Sequence, residues 1–162
     1  MKINGFMEKK MNKKNIVFVP MVADILHEGH IKLINRAKRY GQITIGLLTD
    51  KATKIYKTST TLKYSQRLII LKSIKFIHKI EKTEDWDYAS ALERLKPKYV
   101  VHGDDWKKNN KIQRKNVINR LKKWKGKLIE FPYTKGVSST LIKKKIIKEN
   151  ISQSIIKRNK RK

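Results

Sequence analysis

The chain of 162 residues contains no cysteine. That single absence excludes a disulfide scaffold, a thiolate metal site and a cysteine nucleophile. Glycine and proline are scarce, at seven and three residues, which excludes collagen-like and low-complexity classes. Long apolar runs are missing too; residues 43–48 are typical of those present, so no membrane-spanning helix is expected. The lysines near the N-terminus are not followed by an apolar segment, so no signal peptide is read and the cytoplasm is the expected compartment. Acidic residues are few. Thirteen Asp and Glu face 41 Lys and Arg, a formal net charge of +28.

What is abundant is lysine. Only eight of the 41 cations are arginine. Residues 1–15 carry +4 and residues 143–162 carry +8, and the remainder is spread without a run longer than three. Two readings follow. One is a Lys- and Ile-rich bias on solvated helix faces, and the other is a polyanion partner. Nucleic-acid readers that need a bidentate fork use Arg, so nucleic acid is not the expected partner. A Lys-rich nucleic-acid-binding protein stays as the alternative from another class.

The length suits one domain with a core of its own. Residues 1–15 read as a basic leader, 16–147 as the folded domain and 148–162 as a basic C-terminal tail. Short apolar runs predict strands at residues 16–21, 43–49, 76–80, 99–102 and 128–131. Helical spacing predicts helices at 30–40, 64–75, 88–95 and 112–124, with a last helix capped by Ser138 and running to 147. Strand and helix alternate, so the expected fold is α/β. It is a Rossmann-like, doubly wound, five-stranded parallel sheet with helices on both faces. Ligands in such sheets bind beyond the carboxyl ends of the strands. That rim holds residues 24–30, 50–64, 102–106 and 133–140.

Two motifs on this rim carry chemistry. The first is Asp24-Ile-Leu-His27-Glu-Gly29-His30, directly after the first strand. His27 and His30 share a face at a helix start, where unpaired N–H groups and the helix dipole favour an anion. Gly29 allows close approach to the backbone. Two imidazoles there can donate to phosphate oxygens. A zinc pair and an ordinary loop are the competing readings. The second is Thr134-Lys-Gly136-Val137-Ser138-Ser139-Thr140, three hydroxyls opening a helix after a strand and a glycine. It can cradle phosphates, although plain N-capping needs only one of the hydroxyls. Trp86 and Tyr88 either line a pocket or belong to the core, and His78 and Trp124 read as structural.

Together these motifs resemble the cytidylyltransferase branch of the nucleotidylyltransferase superfamily, over roughly residues 16–147. Further local matches are Thr49-Asp50 at the end of strand two, Lys57, Tyr64-Ser-Gln-Arg67, and His102-Gly103-Asp104-Asp105-Trp106-Lys107. The last resembles the turn of glycerol-3-phosphate cytidylyltransferases. The set is most similar to cytidylyltransferase domains linked to phosphoenolpyruvate mutase in phosphonate biosynthesis. The resemblance implies transfer of CMP from CTP to a small phosphonate or phospho-alcohol, with Mg²⁺ bridging phosphate oxygens and few protein ligands. It also implies a homodimer. An adenylyltransferase of the same superfamily, using ATP, is the alternative.

The resemblance implies a catalytic set of His27, His30, Lys57 and Arg67, with the last two neutralising phosphates. It implies a nucleotide site of Asp24, Gly29, Asp50, Gly103, Asp104, Trp106, Thr134, Gly136, Val137, Ser138, Ser139 and Thr140. Lys32, Trp86 and Tyr133 are the expected acceptor contacts. There are two departures from the family pattern. Met21-Val22-Ala23-Asp24 stands where relatives have Gly-Thr-Phe-Asp, and Tyr133-Thr134 where many have Arg-Thr.

Overall fold

The computed structural model describes residues 15–55 and 60–159, from residue 153 onward by backbone alone. The order of elements is β1 (Ile16–Met21), α1 (Glu28–Ala37) with a 3₁₀ turn (Lys38–Tyr40), β2 (Gln42–Leu48), α2 (Asp50–Lys54) and α3 (Tyr64–Lys72). Then come β3 (Ile77–Thr83), α4 (Ala89–Leu95), β4 (Tyr99–Gly103), α5 (Trp106–Asn109), α6 (Lys111–Lys122), β5 (Lys127–Phe131) and α7 (Ser139–Asn159). The five strands form one sheet in the order β3-β2-β1-β4-β5. Every pairing is parallel. This is the doubly wound α/β architecture that the alternation of strands and helices predicts.

Strand alternation divides the core between the two faces. Val17, Val19 and Met21 of β1 pack with Ile43, Ile45 and Leu47 of β2 against Ile34 and Ala37 of α1 and Leu71 of α3. Phe18 of β1 and Val100 of β4 face the other way, onto Leu92 of α4 and Val117 and Leu121 of α6. Both faces of the central strands are therefore covered, which is why β1 and β2 read as continuous apolar runs.

Proline in a central strand removes a ladder donor, and β1 contains Pro20. The ladder tolerates it because pairing with β4 covers only Val17 and Phe18. Pairing with β2 continues to Met21. β1 and β4 therefore part near their carboxyl ends, at the point where the strand order reverses.

Some boundaries differ from the sequence reading. β3 begins at Ile77 and reaches Thr83, further than the apolar run suggested. As an edge strand it carries Lys79 and Glu81, which pair at 3.0 Å, and Arg94 of α4 reaches Glu81 at 2.8 Å. Two short helices, α2 and α5, cap strand ends where none was predicted. The final helix runs to Asn159 rather than stopping at 147, so most of the expected tail is helical. No glycine or proline interrupts it. The leader lies outside the described residues, apart from Asn15. Among the described residues, no helix is long and apolar enough to cross a membrane.

Gly46 sits under the fully buried ring of Phe18, and a Cβ there would lie 2.1 Å from the ring's Cζ. Gly46→Ala should therefore cost about 1–3 kcal/mol, the usual range for overpacking. A urea midpoint equal to that of the parent would show that the ring moves aside freely.

Candidate active site

The parting of β1 from β4 opens a cavity of about 220 Å³ at the carboxyl rim. Pro20, His27, His30, Trp106, Thr134 and Ser139 are among the residues that line it. Two helix N-termini, those of α1 and α7, contribute to its wall, so two positive dipole ends meet at the cavity.

The two histidines cap α1 themselves. His27 is the N-cap residue, and its Nδ1 accepts from the Gly29 N–H at 3.2 Å. His30, at the third helical position, returns the bond, with its Nδ1 accepting from the His27 N–H at 3.3 Å. This is a capping box built from imidazoles in place of Ser and Glu. The rings lie 4.0 Å apart between centroids. An Nδ1 that accepts a backbone N–H has no proton, so each neutral ring carries its proton on Nε2. Both histidines are thereby set as donors. Burial pushes the His27 pKa below its ordinary 6.5, against a smaller upward pull from Glu28, and so favours this neutral form. A Cβ at Gly29 would press on the His27 imidazole at 3.0 Å, so glycine leaves that ring its place.

Asp24 lines the same cavity but works mainly as a tie. Its Oδ1 accepts from the Thr61 and Leu62 amides at 2.6 and 2.9 Å, and its Oδ2 pairs with Lys143 of α7. Burial raises its pKa, but Lys143 and the two amides outweigh that and hold the carboxyl below the usual range. Ser139 Oγ donates to the Ile25 carbonyl at 3.1 Å, and Ser138 Oγ accepts from the Leu141 amide at 3.1 Å as the helix cap. The start of α7 is thus pinned to the loop between β1 and α1. The capping reading of Ser138 and the cavity position of Ser139 and Thr140 both hold.

Arg67 is placed otherwise than expected. Its side chain is fully buried and makes four bonds: Nη1 to the Val22 and Leu48 carbonyls, Nε to the Leu62 carbonyl and Nη2 to Asp50 at 2.6 Å. It fastens the ends of β1 and β2 to α3 and cannot present itself to a phosphate. Asp50 is its partner, bonded also to the Tyr64 amide, and it does not line the cavity. The sequence showed a cation and a carboxylate on the right rim; burial turned the cation inward, and the half-exposed carboxylate is taken up as its partner. Lys57 lies outside the described residues.

The corner between β4 and β5 is held by Asp104, whose Oδ1 accepts from the Tyr133 amide at 2.9 Å. Asp104 is therefore a brace behind the wall. Trp106, Gly103 and Asp105 line the cavity, and the Trp106 ring stacks on His102 at 3.8 Å. Tyr133 lines it as well, with a pKa raised by burial and by the Asp105 charge. Gly136 adopts a positive φ of 78° that turns the chain toward α7. Neither it nor Val137 reaches the cavity, and Trp86 does not either. The Trp86 carbonyl instead accepts from Gln113 Nε2.

Lys32 lines the cavity, as expected, and pairs with Glu28 at 2.5 Å. Tyr88, read from the sequence as either a pocket or a core residue, is both: it is buried and lines the cavity. Arg36, Asn110 and Gln113 line it too, without having been singled out. Only Arg36 left a signal in the sequence: it stands four residues after Lys32, hence on the same helix face.

The sequence from 22 to 145 matches the family model described as cytidylyltransferase-like. Glycerol-3-phosphate cytidylyltransferase of Bacillus spizizenii is 31% identical over 123 residues, which is 75% of this chain and 88% of that one. The bifunctional protein HldE of Campylobacter jejuni is 33% identical over 140 residues, 85% of this chain but 29% of that one. The crystal structure of the lipopolysaccharide core biosynthesis protein from Thermoplasma volcanium superposes with a TM-score of 0.65 at 18% identity, covering 75% of this chain and 98% of that one. That likeness shows the fold.

Two outcomes test the geometry. Arg67→Met leaves two buried carbonyls, a half-buried one and a carboxylate without their donor, so stability in urea should drop by about 3–5 kcal/mol. An unchanged midpoint would return Arg67 to the list of ligand-binding groups. In an imidazole NMR titration, His27 should take up its proton only below pH 6.5. The unfolded chain binds that proton first, so His27's contribution to stability is complete above 6.5 and is lost as pH falls through the lowered value. A midpoint above 6.5 would contradict the desolvated cap.

Proposed function

The chain belongs to the cytidylyltransferase-like family, and from that premise we propose that it transfers CMP from CTP to a small phosphorylated or phosphonate acceptor. The observation that carries the reading is the imidazole capping box. It presets two Nε2–H donors in a cavity shared with the start of α7. An oxygen of the acceptor attacks the α-phosphorus of CTP. The new O–P bond forms as the bond to the bridging oxygen breaks, and that oxygen leaves with the electron pair as pyrophosphate. His27 and His30 donate to oxygens whose charge grows in the transition state, and the N–H groups at the start of α7 hold the outer phosphates. No covalent intermediate with the chain is needed.

The acceptor we propose is a phospho-alcohol such as glycerol-, choline- or ethanolamine-phosphate, or an aminoethyl or hydroxyethyl phosphonate. The similarity to a glycerol-3-phosphate cytidylyltransferase supports the first class. Lys32 and Arg36, one turn apart on α1, are the cavity cations suited to the acceptor's anionic head. Among the described residues, no group of three His, Asp or Glu side chains comes together as a metal cage. The Mg²⁺ we propose would come as part of the substrate, carried on the CTP phosphates. We also propose a homodimer; the exposed Ile69 and Ile70 of α3 are apolar surface that a second copy would cover.

Pyrophosphate release, measured with each NTP against a panel of these acceptors, should be fastest with CTP. Faster turnover with ATP across the panel would overturn the assignment. His27→Ala and His30→Ala should each lower kcat by about 10²-fold or more. Each should cost only about 1 kcal/mol of stability, the worth of a helix cap. Chelation of Mg²⁺ should stop turnover, and zinc chelation alone should not. Sedimentation showing only a single-chain species at micromolar concentration would rule out the dimer.

A further inference from the structure

The two ends of the sheet differ sharply in charge. The loops that lead into β2, β3, β4 and β5 are residues 38–41, 73–76, 96–98 and 123–126. They carry Lys or Arg at seven positions and no Asp or Glu at any. All seven cations are exposed. The carboxylates Asp24, Asp50, Asp104 and Asp105 stand instead where strands end, on the cavity side. Cations after a helix C-terminus complement its dipole, and Lys123 also pairs with Glu93 of α4 at 2.8 Å. Those effects place single lysines; they do not account for four loops without a carboxylate among them.

Within this face lies an open cleft of about 810 Å³, lined among others by Asn15, Lys38, Arg39, Lys75, Phe76 and His78. Phe76 is 45% exposed at its edge, and Lys38 Nζ stands 4.1 Å from its ring centroid. Nearly half of this large aromatic residue is left in water, and it stands among cations. The cleft is also separate from the cavity. The six residues of β1 put the two about 20 Å apart along the sheet.

We propose that this face is a second binding surface, for the phosphodiester backbone of single-stranded nucleic acid. Lysines meet phosphates as point charges and read no sequence. An exposed ring in a cationic groove offers a platform for an unpaired base. A concave cleft suits a strand better than it suits a flat bilayer. The surface is independent of CMP transfer.

The probe is a fluorescein-labelled oligothymidylate of about 20 nucleotides, followed by anisotropy at about 100 mM salt and then across a salt series. The chain should bind it with an affinity that falls steeply as salt rises. The pair Lys38→Glu with Lys75→Glu should weaken binding about tenfold or more. Phe76→Ala should weaken it about fivefold or more. The control pair, Lys144→Glu with Lys148→Glu on α7, changes net charge equally and should have little effect. CMP transfer by the cleft variants should match the parent, which reports that they are folded. Equal loss in cleft and control pairs would reduce the effect to net charge and overturn the proposal, as would the absence of oligonucleotide binding or an unaffected Phe76→Ala. Binding to phosphatidylserine vesicles in place of the oligonucleotide would reassign the face to a membrane and overturn it as well.

Discussion

The site depends on the separation of β1 from β4. A doubly wound sheet must reverse its strand order somewhere, and here the reversal falls between these two strands. Their pairing ends at Phe18, two residues before Pro20, which has no N–H to extend it. Past that point the strands diverge, and α1 and α7 both start beside the gap. The cavity follows from topology, and its chemistry follows from which residues begin those helices.

Holding the gap in one shape takes two buried polar clamps. Arg67 ties the carbonyls of Val22, Leu48 and Leu62 together from within. Asp24 joins the segment around Thr61 to Lys143 on α7. Each clamp joins segments far apart in sequence, and the Arg67 and Asp24 side chains at their centres are buried. They leave the capping box as a rigid pair of donors whose tautomers are set by the backbone. A transferring phosphoryl group asks for donors that need no rearrangement as charge develops. The same rigidity separates the residues that shape the site from those that face it: Asp24 does both, Arg67 and Asp104 only the first.

Charge is arranged on a larger scale. A chain at +28 concentrates its few carboxylates at the reactive end of the sheet, where they brace loops and pair with Arg67 and Lys143. The loops at the opposite end carry cations and no carboxylate. Net charge alone would suggest a uniformly basic protein, whereas the fold divides that charge between a braced cavity and an open basic face.

The periodicity of apolar residues by itself determined the alternation of strands and helices, and with it a parallel, doubly wound sheet. The spacing of His27, Gly29 and His30 marked one wall of the cavity after β1, and the hydroxyl run at Ser138–Thr140 marked a second after β5. These were legible because each is local: a strand, a turn and a helix start lie within about ten residues of one another. The extent of β3 was less legible because an edge strand needs no apolar outer side and Lys79 and Glu81 interrupt the pattern. What only the tertiary structure decided is which polar groups point into the cavity. Arg67 and Trp86 carried the same sequence signal as the residues that line it. Burial drew Arg67 inward to satisfy three carbonyls, and Trp86 came to rest outside the cavity, while Arg36 and Gln113 entered it. An orphaned buried carbonyl is a long-range demand, set by segments that meet only after folding, and no local pattern announces which side chain will answer it.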